Sequence, residues 1–184
     1  MIAIIDYGVG NLLAIRNILR KVGGDAIITS DPTEISNASK LILPGVGAFG
    51  YGMNELRKRN LVELLNEEVL VKKKIILGLC LGAQLMSKHS EEDDATGLGW
   101  VNGKTIKFDE TKVPIIPHMG WSDVKFKQDN PLGIDIDELR FYFAHSYHFN
   151  FENEQQVTGT TEFGYPFACC FQSGTVYGVQ FHPE

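Results

Sequence analysis

Four short runs of apolar residues mark the first half of the chain, at positions 1–6, 26–29, 40–43 and 75–79. Glycine or proline follows each within a few residues, which is the pattern of strands buried on both faces. Between the first two runs, Leu12, Leu13, Ile15, Ile18, Leu19 and Val22 recur at helical spacing until Gly23 and Gly24 stop them. Residues 32–38 read as a short helix with Asp31 placed to cap it. One or two amphipathic helices are expected over 55–71, and another over 81–88. Strands alternating with helices in this order predict a parallel sheet covered on both faces, joined by right-handed crossovers.

Past Gly97 the rhythm changes. Segments 101–108, 113–116, 122–126, 141–149, 156–161, 167–172 and 176–181 all read as strands, closely spaced with turn residues between them. That spacing adds antiparallel strands to the parallel core. The predicted class is therefore α/β, with a central mostly parallel sheet flanked by helices and antiparallel strands in the second half. The acidic run Glu91 to Asp94 reads as a solvated loop.

Composition narrows the possible activities. A chain of 184 residues fits one domain, 1–184, large enough to build a core without disulfide or metal support. With 17 basic against 23 acidic residues the net charge is -6, and the longest basic cluster is Lys72-Lys73-Lys74. Phosphate neutralisation on a nucleic acid is thereby disfavoured. No apolar run approaches the roughly 20 residues needed to span a bilayer, and Asp6 interrupts the N-terminal run, so neither a membrane segment nor a signal peptide is expected. Three cysteines, two of them adjacent, argue against a disulfide framework and for a reducing cytoplasm.

The sharpest local feature is Gly78-Leu79-Cys80-Leu81-Gly82, where the fourth strand meets a helix. It has the form of a nucleophile elbow with cysteine in the nucleophile position. Cys80 at a helix N-terminus gains from the dipole and the free N–H groups, which favour a thiolate. Alone, the block equally fits a small buried cysteine between packing glycines. The far end of the chain breaks the tie, because the strand at 176–181 delivers His182-Pro183-Glu184. Residues two apart on extended backbone project to one side, so Glu184 can fix the tautomer of His182 and turn its other nitrogen to the thiol.

Pro44-Gly45-Val46-Gly47, directly after the third strand, can present N–H donors to an oxyanion. Residues 45–50 also match G-x-G-x-x-G, but they follow the third strand and no acidic residue stands where a ribose would bind. No cofactor is expected. Nor is a metal, since His145 and His148, and likewise Cys169 and Cys170, are expected to point to opposite faces of their strands.

Taken together, the blocks at 78–84 and 182–184, with Asp6 to Asn11, Pro44 to Gly47, Pro117 to Trp121 and Tyr142 to Tyr147, resemble the class I, triad-type glutamine amidotransferases. Among these the chain is most similar to the glutaminase subunits of imidazole glycerol phosphate synthases. The resemblance implies a flavodoxin-like fold and hydrolysis of glutamine to glutamate and ammonia. It implies Cys80 as nucleophile, His182 as acid and base, and Glu184 as its orienting partner. Val46 or Gly47 with the N–H of Leu81 would form the oxyanion hole, and Gln84, Ser146 and Tyr147 would hold glutamine. His118 and Trp121 would face the partner, a synthase (cyclase) subunit of (β/α)-barrel type that consumes the ammonia in the histidine pathway. Relatives of the same subunit that supply sugar-modifying synthases, a stand-alone cysteine hydrolase and a catalytically silent binding subunit are the alternatives. Members of the family continue past the His-Pro-Glu block, so the resemblance also implies a missing C-terminal tail.

Overall fold

A computed structural model of the chain describes residues 1–127, 130–134 and 136–184. Strands β1 (Ile2–Ile5), β2 (Ala26–Thr29), β3 (Lys40–Leu43) and β4 (Ile75–Leu79) match the four apolar runs and lie in the order β2-β1-β3-β4, all parallel. Helices α1 (Leu12–Lys21), α2 (Pro32–Asn37), α3 (Phe49–Lys58) and α4 (Leu61–Asn66) link them, and α5 (Leu81–Leu85) leaves β4. Asp31 caps α2 as expected, its Oδ1 accepting from Thr33 and Glu34 N–H at 2.8 and 3.0 Å.

The second half supplies β5 (His89–Ser90), β6 (Ala95–Thr96), β7 (Gly103–Lys107), β8 (His118–Asp123), β9 (Lys125–Phe126), β10 (Arg140–His145), β11 (Tyr147–Phe151), β12 (Val157–Phe163), β13 (Tyr165–Ser173) and β14 (Val176–Val179). The sheet runs β2-β1-β3-β4-β14-β13-β11-β7-β5-β6, with β12 added beside β13 and β9 beside β12. Its seam is β14, parallel to β4 on one side and antiparallel to β13 on the other. Strands β8 and β10 form a separate hairpin. The α/β class with antiparallel additions is thus the observed architecture.

Alternation along the strands divides the core between the two faces of the sheet. Ala3, Ile5, Leu41 and Leu43 pack with Phe49, Met53 and Leu85 from the helices, while Ile4, Ile42, Leu79 and Val179 pack with Ile15, Phe143 and Phe181. No helix among the described residues is long and apolar enough to cross a membrane.

Several boundaries differ from expectation for identifiable reasons. Helix α5 stops at Leu85, short of 88, because the following segment captures its last carbonyls: Leu98 N–H donates to Leu85 O at 2.8 Å and Trp100 N–H to Met86 O at 2.9 Å. Residues 113–116 form no strand; Lys112 and Val113 N–H groups close a turn on the Asp109 carbonyl. The run 141–149 breaks at Ser146, where the chain leaves the hairpin for the main sheet. The acidic run is not merely solvated. Glu92 Oε2 accepts from Phe49 N–H at 2.9 Å and Asp93 Oδ2 from Gly50 N–H at 3.1 Å. These carboxylates cap α3, whose own N-cap residue, Ala48, has no side-chain acceptor.

Candidate active site

Strand β4 ends by handing Cys80 to α5 through a left-handed backbone turn, φ 48° and ψ -112°. A side chain at such angles is strained, and the surroundings hold it there. The Cys80 N–H donates to Val179 O at 2.9 Å, while β4 and α5 are pressed together. A Cβ on Gly82 would run into the Leu43 carbonyl, and one on Gly78 would sit 2.6 Å from Ala83 Cα. Only glycine at both positions lets the elbow turn this tightly.

The parallel register of β14 with β4 pairs Gly178 with Gly78 and Val179 with Leu79, so the chain beyond β14 passes alongside Cys80. Two backbone hydrogen bonds then aim it. Gln180 N–H donates to Cys169 O at 2.8 Å and His182 N–H to Tyr142 O at 3.0 Å. Phe181 stacks on Phe141 with ring centroids 4.0 Å apart. His182 consequently faces the same cavity as Cys80, and its Nδ1 lies 3.1 Å from Glu184 Oε1. The neighbouring Cys80 sulfur first, then the bond to Glu184, raise the imidazole to about 10 against its partial burial. Burial, the largest single influence, would raise the Glu184 carboxyl, but the His182 hydrogen bond, a backbone N–H and the charge of His182 together hold it below its ordinary value.

Cys80 and His182 open onto a cavity of about 330 Å³ that Val46, Gly47, Gln84, Ser146 and Tyr147 also line. The structure therefore brings the proposed nucleophile, base, oxyanion segment and substrate-binding residues to one site. Their donors are partly engaged. Leu81 N–H donates to Gly45 O at 3.3 Å, so it is not free for an oxyanion. Both N–H groups of Gln84 are used, on Tyr147 O and Gln180 Oε1 at 3.0 Å each, which leaves only its carbonyl oxygen for a ligand. Tyr7 donates to Pro44 O at 2.5 Å and tethers the Pro44 to Gly47 segment from below.

Trp121 and His118 part company. Trp121 is 63% exposed beside exposed Met119, whereas His118 is 3% exposed, its ring stacked between Phe143 and Phe163 with centroids 4.9 and 4.3 Å away. Period-two alternation along β8 turns residues 118 and 122 inward and 119 and 121 outward, so His118 offers no surface to a partner.

Two statements about strand faces need correction. Because the chain changes sheets at Ser146, His145 and His148 both pack on Phe108, with centroids 5.3 and 4.8 Å away, rather than on opposite faces. Cys169 is the extra residue of a bulge opposite β12, so its sulfur and that of Cys170 lie 3.9 Å apart in one core cluster. Neither pair belongs to a metal-binding group, and no group of three or more His, Cys, Asp or Glu suited to a metal occurs among the described residues.

Sequence reasoning missed Gln180, His145 and Glu92. Glu92 and His145 line the cavity, and Gln180 is fully buried with Nε2 3.7 Å from the Cys80 sulfur. The available signal for Gln180 was an amide interrupting an apolar strand two residues before the base.

Comparison with known proteins agrees with this geometry. Residues 3–184 match the family model described as glutamine amidotransferase class-I. The chain is 49% identical to imidazole glycerol phosphate synthase subunit HisH 2 of Methanococcus maripaludis, over all of this chain and 92% of that protein. It is 41% identical to the subunit of the same name from Pseudomonas aeruginosa, with the same coverage. Among solved structures, a glutamine amidotransferase superposes with TM-score 0.75 at 15% identity, covering 98% of this chain and 89% of the other. PurLQS from Thermotoga maritima superposes with TM-score 0.70 at 17% identity, covering 99% and 86%. With an elbow cysteine, a facing His182-Glu184 pair and a family match over nearly its full length, this chain belongs to the class I glutamine amidotransferases.

Proposed function

We propose that this chain is the glutaminase subunit of an imidazole glycerol phosphate synthase, with residues 1–184 acting as one glutaminase domain. The observation that carries the reading is that Cys80 and His182, the latter bonded to Glu184, open together onto one substrate-sized cavity. The relatives named above bear that subunit's name at up to 49% identity, which supports the pathway.

The Cys80 sulfur attacks the side-chain carbonyl carbon of glutamine, and the protonated His182 gives its proton to the departing ammonia. The carbon–nitrogen bond breaks and a glutamyl thioester remains on Cys80. Water, deprotonated by His182, then displaces the sulfur and releases glutamate. Glu184 holds the imidazole in register through both steps. Val46 and Gly47, with Leu81 N–H once it is released from Gly45, form the oxyanion hole. Gln84, Ser146 and Tyr147 hold the amino-acid end of glutamine, and the Glu92 carboxylate at the cavity wall suits its ammonium group. No cofactor or metal enters the sequence of steps.

The ammonia acceptor is a synthase (cyclase) subunit, of (β/α)-barrel type, docked over the cavity mouth. Met119 lines the cavity and is exposed with Trp121, which supports an apolar docking surface there. A nucleophile that must stay a thiol suits a reducing cytoplasm. The test is co-purification from the native cell: the synthase that co-elutes should consume a histidine-pathway ribonucleotide. A sugar-modifying synthase in its place sinks the assignment.

A further inference from the structure

Four polar side chains beyond the Cys80, His182 and Glu184 set are buried on one connected path: Gln180, Gln84, His145 and His118. The hydrogen bonds along it can be oriented atom by atom from the Tyr147 carbonyl, which can only accept. Gln84 Nε2 donates to that oxygen at 3.0 Å and spends its second N–H on Gln180 Oε1, also at 3.0 Å. Gln180 must therefore turn its NH2 group to Cys80, where Nε2 lies 3.7 Å from the sulfur.

The other branch is equally determined. His145 Nδ1 lies 2.7 Å from the same carbonyl and carries its proton there, so its Nε2 accepts from His118 Nδ1 at 3.3 Å. His118 Nε2 then accepts from the Ser122 hydroxyl at 3.0 Å. Burial holds both imidazoles far below their ordinary value, at about 3 and about 4, so each has one donor and one acceptor. Ser122 stands on β8 between the outward-facing Trp121 and Asp123. A continuous path thus joins the half-buried Ser122, flanked by exposed Trp121 and Asp123, to the nucleophile's sulfur. Apolar side chains would fill this core without the need to satisfy so many buried polar atoms, and Gln180 is the polar exception in the otherwise apolar run from Val176 to Phe181.

We propose that Gln180 is a positioning residue for Cys80, orienting the sulfur through its N–H, and that it is the inner end of a hydrogen-bond relay whose outer end is the half-buried Ser122 of β8. The proposal rests on reading Cys80 as the glutaminase nucleophile. Its consequence is that contacts made on β8 alter the donor that the sulfur sees.

The test is glutamine hydrolysis by the complex of this chain with its synthase, with melting temperature as the check on folding. Gln180→Met should lower kcat about tenfold, the scale of one hydrogen bond to a charged group, with KM held within about twofold. Gln180→Glu keeps an acceptor for Gln84 but replaces the donor with a carboxylate, and should lower kcat further. Ser122→Ala should lower kcat about threefold in the parent chain and leave it unchanged in the Gln180→Met background, where the relay is already cut. Near-parental kcat in both Gln180 variants overturns the positioning role. Additive effects of Ser122 and Gln180 overturn the relay. Hydrolysis surviving in Cys80→Ala would instead remove the reading on which the proposal rests.

Discussion

The backbone N–H of Leu81 donates to the carbonyl oxygen of Gly45 across 3.3 Å, so the donor proposed for the oxyanion is occupied in the free chain. In the mechanism proposed above, Leu81 N–H serves the oxyanion only once this bond opens. Loss of one oxyanion donor costs about 10²- to 10³-fold in kcat. The isolated chain should hydrolyse glutamine at least about a hundredfold more slowly than the complex with its synthase and acceptor nucleotide. Steady-state kinetics of both preparations decide the matter, and equal rates would show that the bond does not limit turnover.

The raised imidazole of His182 makes a pH prediction. A histidine whose folded-state value is raised to about 10 adds stability that is complete below its unfolded value near 6.5 and fades as pH rises through about 10. Glutamine hydrolysis by the complex should therefore persist through mildly alkaline pH and fall near 10, as the imidazolium that protonates ammonia is lost. Because Cys80 is the larger cause of the shift, Cys80→Ala should lower the titration midpoint of His182 by NMR. An unmoved midpoint would show that the sulfur is not the partner.

Tight packing at the elbow makes a stability prediction. Gly82→Ala places a methyl against the Leu43 carbonyl, and 2.9 Å from the Pro44 carbonyl carbon, where backbone rather than a flexible side chain must yield. Overpacking of this kind costs about 1–3 kcal/mol, and the upper end is expected here. Urea denaturation measures it; a loss below about 0.5 kcal/mol would mean that the end of β3 and α5 part easily.

Away from the site, the Glu68 side chain is wholly buried with Lys72 and Lys74 ammonium groups each at 2.7 Å and the Ser36 hydroxyl at 2.8 Å. Lys74, only 11% exposed, also donates to the Ile35 and Ser36 carbonyls, so the cluster pins α2 to the start of β4. Glu68→Gln should cost about 3 kcal/mol by stranding Lys74, and Glu68→Leu combined with Lys74→Met should recover most of it. Chemical denaturation of the single and double variants tests this, and a double variant no more stable than the single one would refute the pairing.

What could be read from the chain and what could not follow one physical distinction. The four parallel strands and the Asp31 cap were legible because continuous apolar runs, proline and a capping carboxylate act locally. The elbow and the His182-Glu184 pair were legible because their spacing encodes their geometry. Helix α3 begins at Phe49 rather than 55, since its caps come from Glu92 and Asp93, far along the chain, and Gly52 lets it approach Leu81 and Leu85 closely. The shared aromatic environment of His145 and His148 depends on a strand break at Ser146 that alternation alone does not announce. Gln180 stayed hidden because its partners, Cys80 and Gln84, stand 100 and 96 residues away.

The position of β14 has a consequence for synthesis. It follows every other strand in the sequence, yet it fills the gap between β4 and β13. Cys80 therefore leaves the ribosome 100 residues before Gln180, an interval of about 5–20 seconds at usual elongation rates. Throughout that interval the thiol has neither its base nor its amide neighbour, and β4 presents an unpaired edge. A chain arrested before residue 176 should show Cys80 reacting with iodoacetamide no faster than a free cysteine does. The same insertion that joins the two halves of the sheet then arms the nucleophile, so a growing chain carries no activated thiol before the fold can contain it.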